Sequence, residues 1–234
     1  MTETTLSEAT TALWAAANGY NGKIGEIDAA VAAIIGALSS TKRRFWVDPA
    51  NGNDASVTGD LAAPLQTIQE AVDRSVDGGL LQIELMGPVH ITEQIAFKVG
   101  HVIMRSQNGT RHRVTFAPQI NDNSIFGPRF TFIPSLSSMQ FRELEFVSSP
   151  RSPHVQQKNM IGTQLNVAVT FNDCRFTVEA GADLALFGGD GVATFVLDDT
   201  PAPDEMAGLW FEGVAANTPI ADAPQVLYAP LATL

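Results

Sequence analysis

The sequence predicts a mainly β chain: a short parallel β-helix with an N-terminal cap helix, preceded by an N-terminal α-helical, coiled-coil-like segment. Three observations predict it. A strand-like run, Phe45-Trp46-Val47, leads into a cluster of Asp, Asn and Gly turn residues and then into an amphipathic stretch. Between residues 80 and 199, short β runs follow one another with turn residues between them. Two of these runs repeat: Phe141-Arg142-Glu143-Leu144-Glu145-Phe146 returns thirty residues later as Phe171-Asn172-Asp173-Cys174-Arg175-Phe176. Both have the form F-x-x-(L/C)-x-F, which successive coils of a solenoid produce because equivalent positions stack.

Residues 6–38 form the first element. Apolar positions recur at alternating spacings of three and four through Leu13, Ala17, Tyr20, Ile24, Ile27, Val31, Ile34 and Leu38. Placing Ile24, Val31 and Leu38 at heptad position a puts Tyr20, Ile27 and Ile34 at d. Isoleucine at d disfavours two strands and shifts preference to three or four. Leu13, Tyr20, Ile24, Ile27, Val31, Ile34 and Leu38 are therefore the expected oligomerisation residues, and a homotrimer the expected assembly. Asn18-Gly19-Tyr20-Asn21-Gly22 predicts a break, since each Gly costs about 1 kcal/mol relative to Ala in a helix. An amphipathic helix packed on its own domain is the alternative reading of this segment.

Residues 42–79 are the cap. Asp48-Pro49-Ala50-Asn51-Gly52-Asn53-Asp54 has the form D-P-x-x-G-x-D, and Pro64 to Val72 has the form P-x-x-T-I-x-x-A-V. Leu65, Ile68, Val72 and Val76 share one helical face, and Asp77-Gly78-Gly79 ends the helix. The Asx residues read as turn formers rather than a calcium loop, because the EF-hand pattern is absent. This segment resembles the one that opens right-handed parallel β-helices of the pectate-lyase-like superfamily, bacteriophage tailspikes among them. In that family the helix plugs the first coil. The resemblance implies the fold and carries no chemistry, since the same cap precedes lyases, hydrolases and inert fibres.

Residues 80–200 then supply the short β-helix, with runs at Leu80–Leu85, Val89–Ile91, Val102–Met104, Arg113–Phe116, Phe130–Ile133, Phe141–Phe146, Val167–Phe171, Arg175–Val178 and Val192–Leu197. Residues 201–234 differ. Pro201, Pro203, Pro219, Pro224 and Pro230 prevent long regular elements, yet Leu209, Trp210, Phe211, Val226, Leu227 and Tyr228 are apolar. This predicts an extended segment packed on its own solenoid or on a neighbouring subunit.

Composition excludes several partners. The chain has 234 residues, 17% charged, with net charge −11. No basic stripe exists to neutralise phosphates, so nucleic acid and anionic membrane are not expected partners. The basic cluster Lys42-Arg43-Arg44 reads as a solvated hinge, or else as a docking contact for an acidic partner. The single cysteine, Cys174, precludes an intrachain disulfide and reads as a buried thiol. No run reaches 18 apolar residues, so no membrane insertion is expected. Met1–Thr5 lacks a signal-peptide start, which predicts synthesis in the host cytoplasm. Asn108-Gly109-Thr110 reads as a turn.

No catalytic constellation emerges, and no cofactor or metal is expected. Asp183, Asp190, Asp198, Asp199, Asp204 and Glu205 gather near the end of the solenoid and read as turn and surface acids. Glu143 and Glu145 are expected to point outward from one strand. His90, His101, His112 and His154 are isolated and match no metal spacing. A pectate-lyase-like enzyme needs an Arg or Lys base, for which Arg105, Arg111, Arg113, Arg129 and Arg142 are candidates that no motif distinguishes.

The order of segments resembles a small phage tail spike or tail fibre. That resemblance implies a structural virion component, with the N-terminal helix docking to other tail or baseplate proteins and the host surface as target. Bacterial surface polysaccharide is the candidate ligand. A glycan-degrading tailspike enzyme, lyase or hydrolase, is the alternative. A third reading is an adaptor or decoration protein that does not bind a receptor.

Overall fold

The computed structural model describes residues 41–55, 58–116, 128–132, 137–150, 159–162, 167–189, 193–216 and 226–228, Thr218, and in the N-terminal region Thr11, Trp14, 18–20, 22–24, 26–27 and 30–31. Met1–Thr41 and Lys42–Leu234 are two separate compact units.

Every described residue from Thr11 to Val31 is helical. Of the break expected at Asn18–Gly22, the described residues Asn18, Gly19, Tyr20 and Gly22 are all in helix, and Asn21 lies outside the described residues. Propagation adds a hydrogen bond for each residue it fixes, which offsets the conformational cost of two glycines. Tyr20, Ile24, Ile27 and Val31 are exposed by 75%, 54%, 61% and 48%, so this unit does not bury them itself. Leu13, Ile34 and Leu38 lie outside the described residues.

The second unit is mainly β, with every pairing among the described strands parallel. Its elements are β1 (Lys42–Val47), α1 (Ile68–Asp73), β2 (Leu80–Leu85), β3 (Val89–Ile91), β4 (Gln94–Phe97), β5 (His101–Ser106), β6 (His112–Phe116), β7 (Arg129–Phe132), β8 (Ser137–Arg142), β9 (Leu144–Ser148), β10 (Asn159–Gly162), β11 (Val167–Asn172), β12 (Arg175–Val178), β13 (Ala185–Gly188), β14 (Ala193–Asp198) and β15 (Val226–Tyr228). They make a seven-stranded sheet β1-β2-β5-β8-β11-β14-β15, a four-stranded sheet β13-β10-β7-β4 and a four-stranded sheet β12-β9-β6-β3. From β2 to β13 the chain visits the three sheets in rotation, and each strand pairs with its counterpart from the next round.

One hydrophobic core joins the three sheets. The inward row Phe45, Ile83, Met104, Phe141, Phe171 and Leu197 runs across the seven-stranded sheet in register. Phe146 and Phe176 are partners on β9 and β12. The two halves of the F-x-x-(L/C)-x-F repeat therefore sit on one another, rung on rung.

The expected single strand Phe141–Phe146 is two strands. Glu143 has φ 55 and bends the chain between β8 and β9, so the run serves two sheets. Asp173 and Asp199, with φ 50 and 47, stand directly after β11 and β14 in the same way, and Asn108, with φ 62, lies in the 3₁₀ turn Gln107–Gly109 after β5. The Glu143 N–H donates to the Asn172 carbonyl at 3.0 Å and the Asp173 N–H to the Asp198 carbonyl at 2.9 Å. Asn and Asp tolerate this left-handed conformation best among non-glycine residues.

The helix expected as a cap, α1, is shorter than its apolar spacing suggests. Thr67 is its N-cap, extended at φ −124 and ψ 151, and accepts the Glu70 N–H. Ile68, Ala71 and Val72 are the buried face. Leu65 lies outside the helix: it bridges Val47 and is fully buried. Val76 lies past the helix end and is half-buried. The Asp54 carboxylate explains the late start. It accepts the Gln66 N–H at 2.7 Å, the Thr67 N–H at 3.2 Å and the Thr67 hydroxyl at 2.8 Å, holding both residues extended. The Asx cluster consists of turns, with Asp48 Oδ1 accepting the Ala50 and Asn51 N–H groups. Gly52 is required there, because an added Cβ would lie 2.1 Å from the Leu65 carbonyl oxygen.

Lys42-Arg43-Arg44 is not a hinge. It forms the first half of β1, paired with Leu80–Gln82. Residues 59–65 cover the far edge of β1 only from Trp46 onward, through Trp46 N–H to Gly59 O and Leu65 N–H to Trp46 O. Charged side chains on the exposed stretch of an edge strand discourage pairing with another chain.

At the other end, β15 extends the seven-stranded sheet beyond β14. Phe187 N–H donates to Trp210 O, and Glu212 N–H to Phe187 O. The segment Leu209–Glu212 thus lies along β13. Trp210 and Phe211 are buried, and Trp210 stacks on Phe195 at 5.7 Å.

Candidate functional site

The densest charged arrangement among the described residues lies on the outer face of the seven-stranded sheet. Strand alternation sends every second residue outward. The row along one edge of that face is Trp46, Glu84, Arg105, Arg142, Asn172 and Asp198. The next row carries Arg44, Gln82, Ile103, Gln140, Thr170 and Val196.

Glu84 is the hub, only 1% exposed. Its Oε1 accepts from Arg44 Nε at 3.0 Å, Gln82 Nε2 at 2.7 Å and Arg105 Nε at 2.8 Å. Its Oε2 lies 2.7 Å from Arg105 Nε. The hydrogen bond to Glu84 holds the Arg105 guanidinium above its usual pKa, with the Glu84 and Glu143 charges adding to it against partial desolvation. Arg44 also sits over the Trp46 ring, 4.3 Å from its centroid. A buried carboxylate held by two guanidiniums and an amide is a structural hub. Its lone pairs are engaged, and it is poorly disposed to act as base or nucleophile.

The acids that gather near the end of the sequence are dispersed over different elements. Asp198 and Asp199 are exposed at the end of β14, and Asp204 and Glu205 are exposed on a single 3₁₀ turn, Asp204–Met206. Asp183 is half-buried in the turn before β13, and Asp190 lies outside the described residues. Glu143 is a corner residue rather than an outward strand residue. Glu145 does lie on β9, where it accepts from the Thr177 hydroxyl at 2.7 Å and Arg113 Nε at 3.2 Å.

The histidines remain apart. His90 bonds Thr115 and His101 bonds Ser138. Burial holds His101 and His112 below the usual imidazole pKa. His154 lies outside the described residues. Cys174 is buried, and burial pushes its thiol up to about 11, which leaves it unreactive as a nucleophile. Among the described residues, no three His, Cys, Asp or Glu side chains converge in a way that would hold a metal ion.

The five arginines separate by surroundings. Arg111 pairs with Asp173 and Arg113 with Glu145. Arg129 is 2% exposed, and burial lowers its pKa. Arg105 and Arg142 are partners on neighbouring strands of the outer face. Trp46, Glu84 and Gln140 are the members of this face that motif reading passed over. Their signal is the alternation itself: in Leu80-Leu81-Gln82-Ile83-Glu84-Leu85, an acid occupies a strand position whose neighbours are apolar. Comparison with family models, curated proteins and solved structures found no match to this chain.

Proposed function

We propose that residues 42–216 are a right-handed parallel β-helix with an entrance cap, and that the chain is a structural component of a phage tail. In this reading it is a small homotrimeric spike or fibre that projects from the virion toward the host surface. The observation that carries the proposal is the pairing of two features in one chain: parallel sheets visited in rotation, and a separate helical unit whose heptad residues are exposed. Tyr20, Ile24, Ile27 and Val31 offer a single-chain helix no core of its own. Isoleucine at d favours three or more strands. Two heptads are marginal alone, so the trimer needs support from the β unit or from a docking protein. Three parallel rods also let weak surface contacts add.

Solution mass by size-exclusion chromatography with light scattering tests this. The expected mass is near 75 kDa, three times 25.0 kDa. Ile27→Asp with Ile34→Asp is expected to return the mass to about 25 kDa while leaving the β unit's circular dichroism intact. A wild-type monomer sinks the trimeric reading and favours an adaptor docked through its helix. A glycan-cleaving role requires depolymerisation of a capsule or lipopolysaccharide preparation by the purified chain.

A further inference from the structure

We infer that Arg142 anchors an oxyanion-binding position on the outer face of the seven-stranded sheet. Arg142 on β8 stands directly opposite Arg105 on β5. Like charges facing one another on adjacent strands are destabilising. Arg105 is neutralised by Glu84. Arg142 has no such partner: no ion pair among the described residues includes it. Its single hydrogen bond runs from Nη2 to Gln140 Oε1 at 2.9 Å, and its Nε is buried without a partner.

A buried donor left unpaired is destabilising, because it has lost its water partner and gained none. The fold carries that cost beside a like charge, in the middle strand of its largest sheet. The neighbouring groups do not relieve it. Asn172, opposite Arg142 on β11, donates its amide to Asp198 instead. Glu143, next in the chain, sits at the corner at φ 55 and forms no ion pair with Arg142 among the described residues; its charge acts on Arg105 instead. Gln140 and Thr170, partners one row along, face outward beside Arg142 and add an amide and a hydroxyl donor. The Nη groups of one guanidinium, one amide and one hydroxyl suit a ligand with two or more acceptor oxygens on one atom. A carboxylate, sulfate or phosphate group meets that description, and a guanidinium binds each through parallel N–H donors. In a chain of net charge −11 such an anion is held by local geometry rather than by the overall field.

The test is a titration of ¹⁵N-labelled full-length protein, observing the arginine Nε–H resonances. Sodium sulfate and sodium acetate are the probes, with sodium chloride at matched ionic strength as control. The Arg142 signal is identified by its loss in Arg142→Lys. A saturable shift of that signal with sulfate, acetate or both supports the position, and its preference distinguishes sulfate-type from carboxylate ligands. Arg142→Gln is expected to abolish the anion-dependent rise in Tm, and Arg142→Lys to weaken binding about tenfold through loss of the paired donors. An Arg142 resonance that moves no more with sulfate or acetate than with chloride overturns the inference. So does a Tm response retained in Arg142→Gln. If one variant fails to fold, loss of the signal in the other identifies it, and the wild-type titration decides the matter.

Discussion

The rings of Phe141 and Phe171 lie stacked, with centroids 5.2 Å apart and planes 18° from parallel. They are the first residues of the two repeats, and each is fully buried. Phe171 also meets Phe146 edge-on at 5.5 Å and Phe176 at 5.2 Å. It joins two sheets and two successive rounds of the chain. Phe171→Ala is expected to cost about 3–5 kcal/mol in urea unfolding, because the neighbouring rungs cannot close the cavity without breaking register. Val196→Ala, on the exposed face of the same sheet, is expected to change stability by no more than about 0.5 kcal/mol.

Asp54 and Thr67 predict a second outcome. The carboxylate ties a loop to the cap helix across 13 positions, and Arg74 closes the arrangement by donating to the Asp54 carbonyl at 2.8 Å. Asp54→Ala removes three hydrogen bonds to one charged group, and Asp54→Asn keeps part of the geometry. The alanine variant is expected to lose about 2 kcal/mol and the asparagine variant less. Limited proteolysis near residues 55–67 should accelerate in the alanine variant. Equal stability of both variants with wild type would show that Asp54 does not clamp residues 66 and 67.

Asp199 allows a test of the corners. Its φ of 47 is left-handed, its side chain is exposed, and among the described residues no hydrogen bond or ion pair engages that side chain. Asp199→Gly is expected to be neutral or slightly stabilising. Asp199→Val, with a β-branched side chain in the left-handed region, is expected to lose about 1–2 kcal/mol. Thermal melts of the two variants side by side read the difference. A valine variant as stable as the glycine one would argue against a fixed left-handed corner.

Stability should also fall in acid in two stages. Burial depresses His101 and His112 below 6.5, so the unfolded chain takes up these protons first. Their contribution is complete above about pH 6.5 and is lost as pH falls from there toward the depressed folded values. Asp48 and Asp60 act lower. Burial pushes Asp48 up, but hydrogen bonds from Asn51 and Ala50 outweigh it, and bonds from Thr58, Ala63 and Ala62 hold Asp60 down. Both end below 3.8, so their stabilisation is present above that pH and is lost as pH falls through the folded values. Denaturation series between pH 8 and 5 should show the first stage, and a His101→Asn, His112→Asn variant should flatten it. An unchanged slope in that variant would assign the loss to other groups.

Much of this was legible in the chain because local chemistry and final geometry agree there. Asp48 and Asn53 were readable as turns because short Asx side chains bond the backbone two or three residues on. Leu80–Leu85 and Val167–Phe171 were readable as strands from their β-branched and apolar content. β4, β10 and β13 were not. Each has four residues, and in β10 and β13 all are buried, so no alternation marks them. The steps between rounds are 21 residues from Glu84 to Arg105, 37 from His101 to Ser138 and 26 from Asn172 to Asp198. Loops of unequal length hide the repeat everywhere except at the two phenylalanine runs. The candidate site was less legible still. Arg105 and Arg142 were two of five equivalent arginines until pairing set them side by side.

By itself the sequence determined the cap turns, the heptad spacing, the acidic charge and the stretches fit to be strands, because propensity and side-chain chemistry act over a few residues. Tertiary structure alone decided where Phe141–Phe146 bends between sheets, which arginine is neutralised, and that Lys42–Arg44 is strand. In this parallel sheet paired residues lie from 21 positions apart (Glu84 and Arg105) to 38 (Lys42 and Leu80), so register, and with it every neighbour on the outer face, exists only once the rounds have stacked.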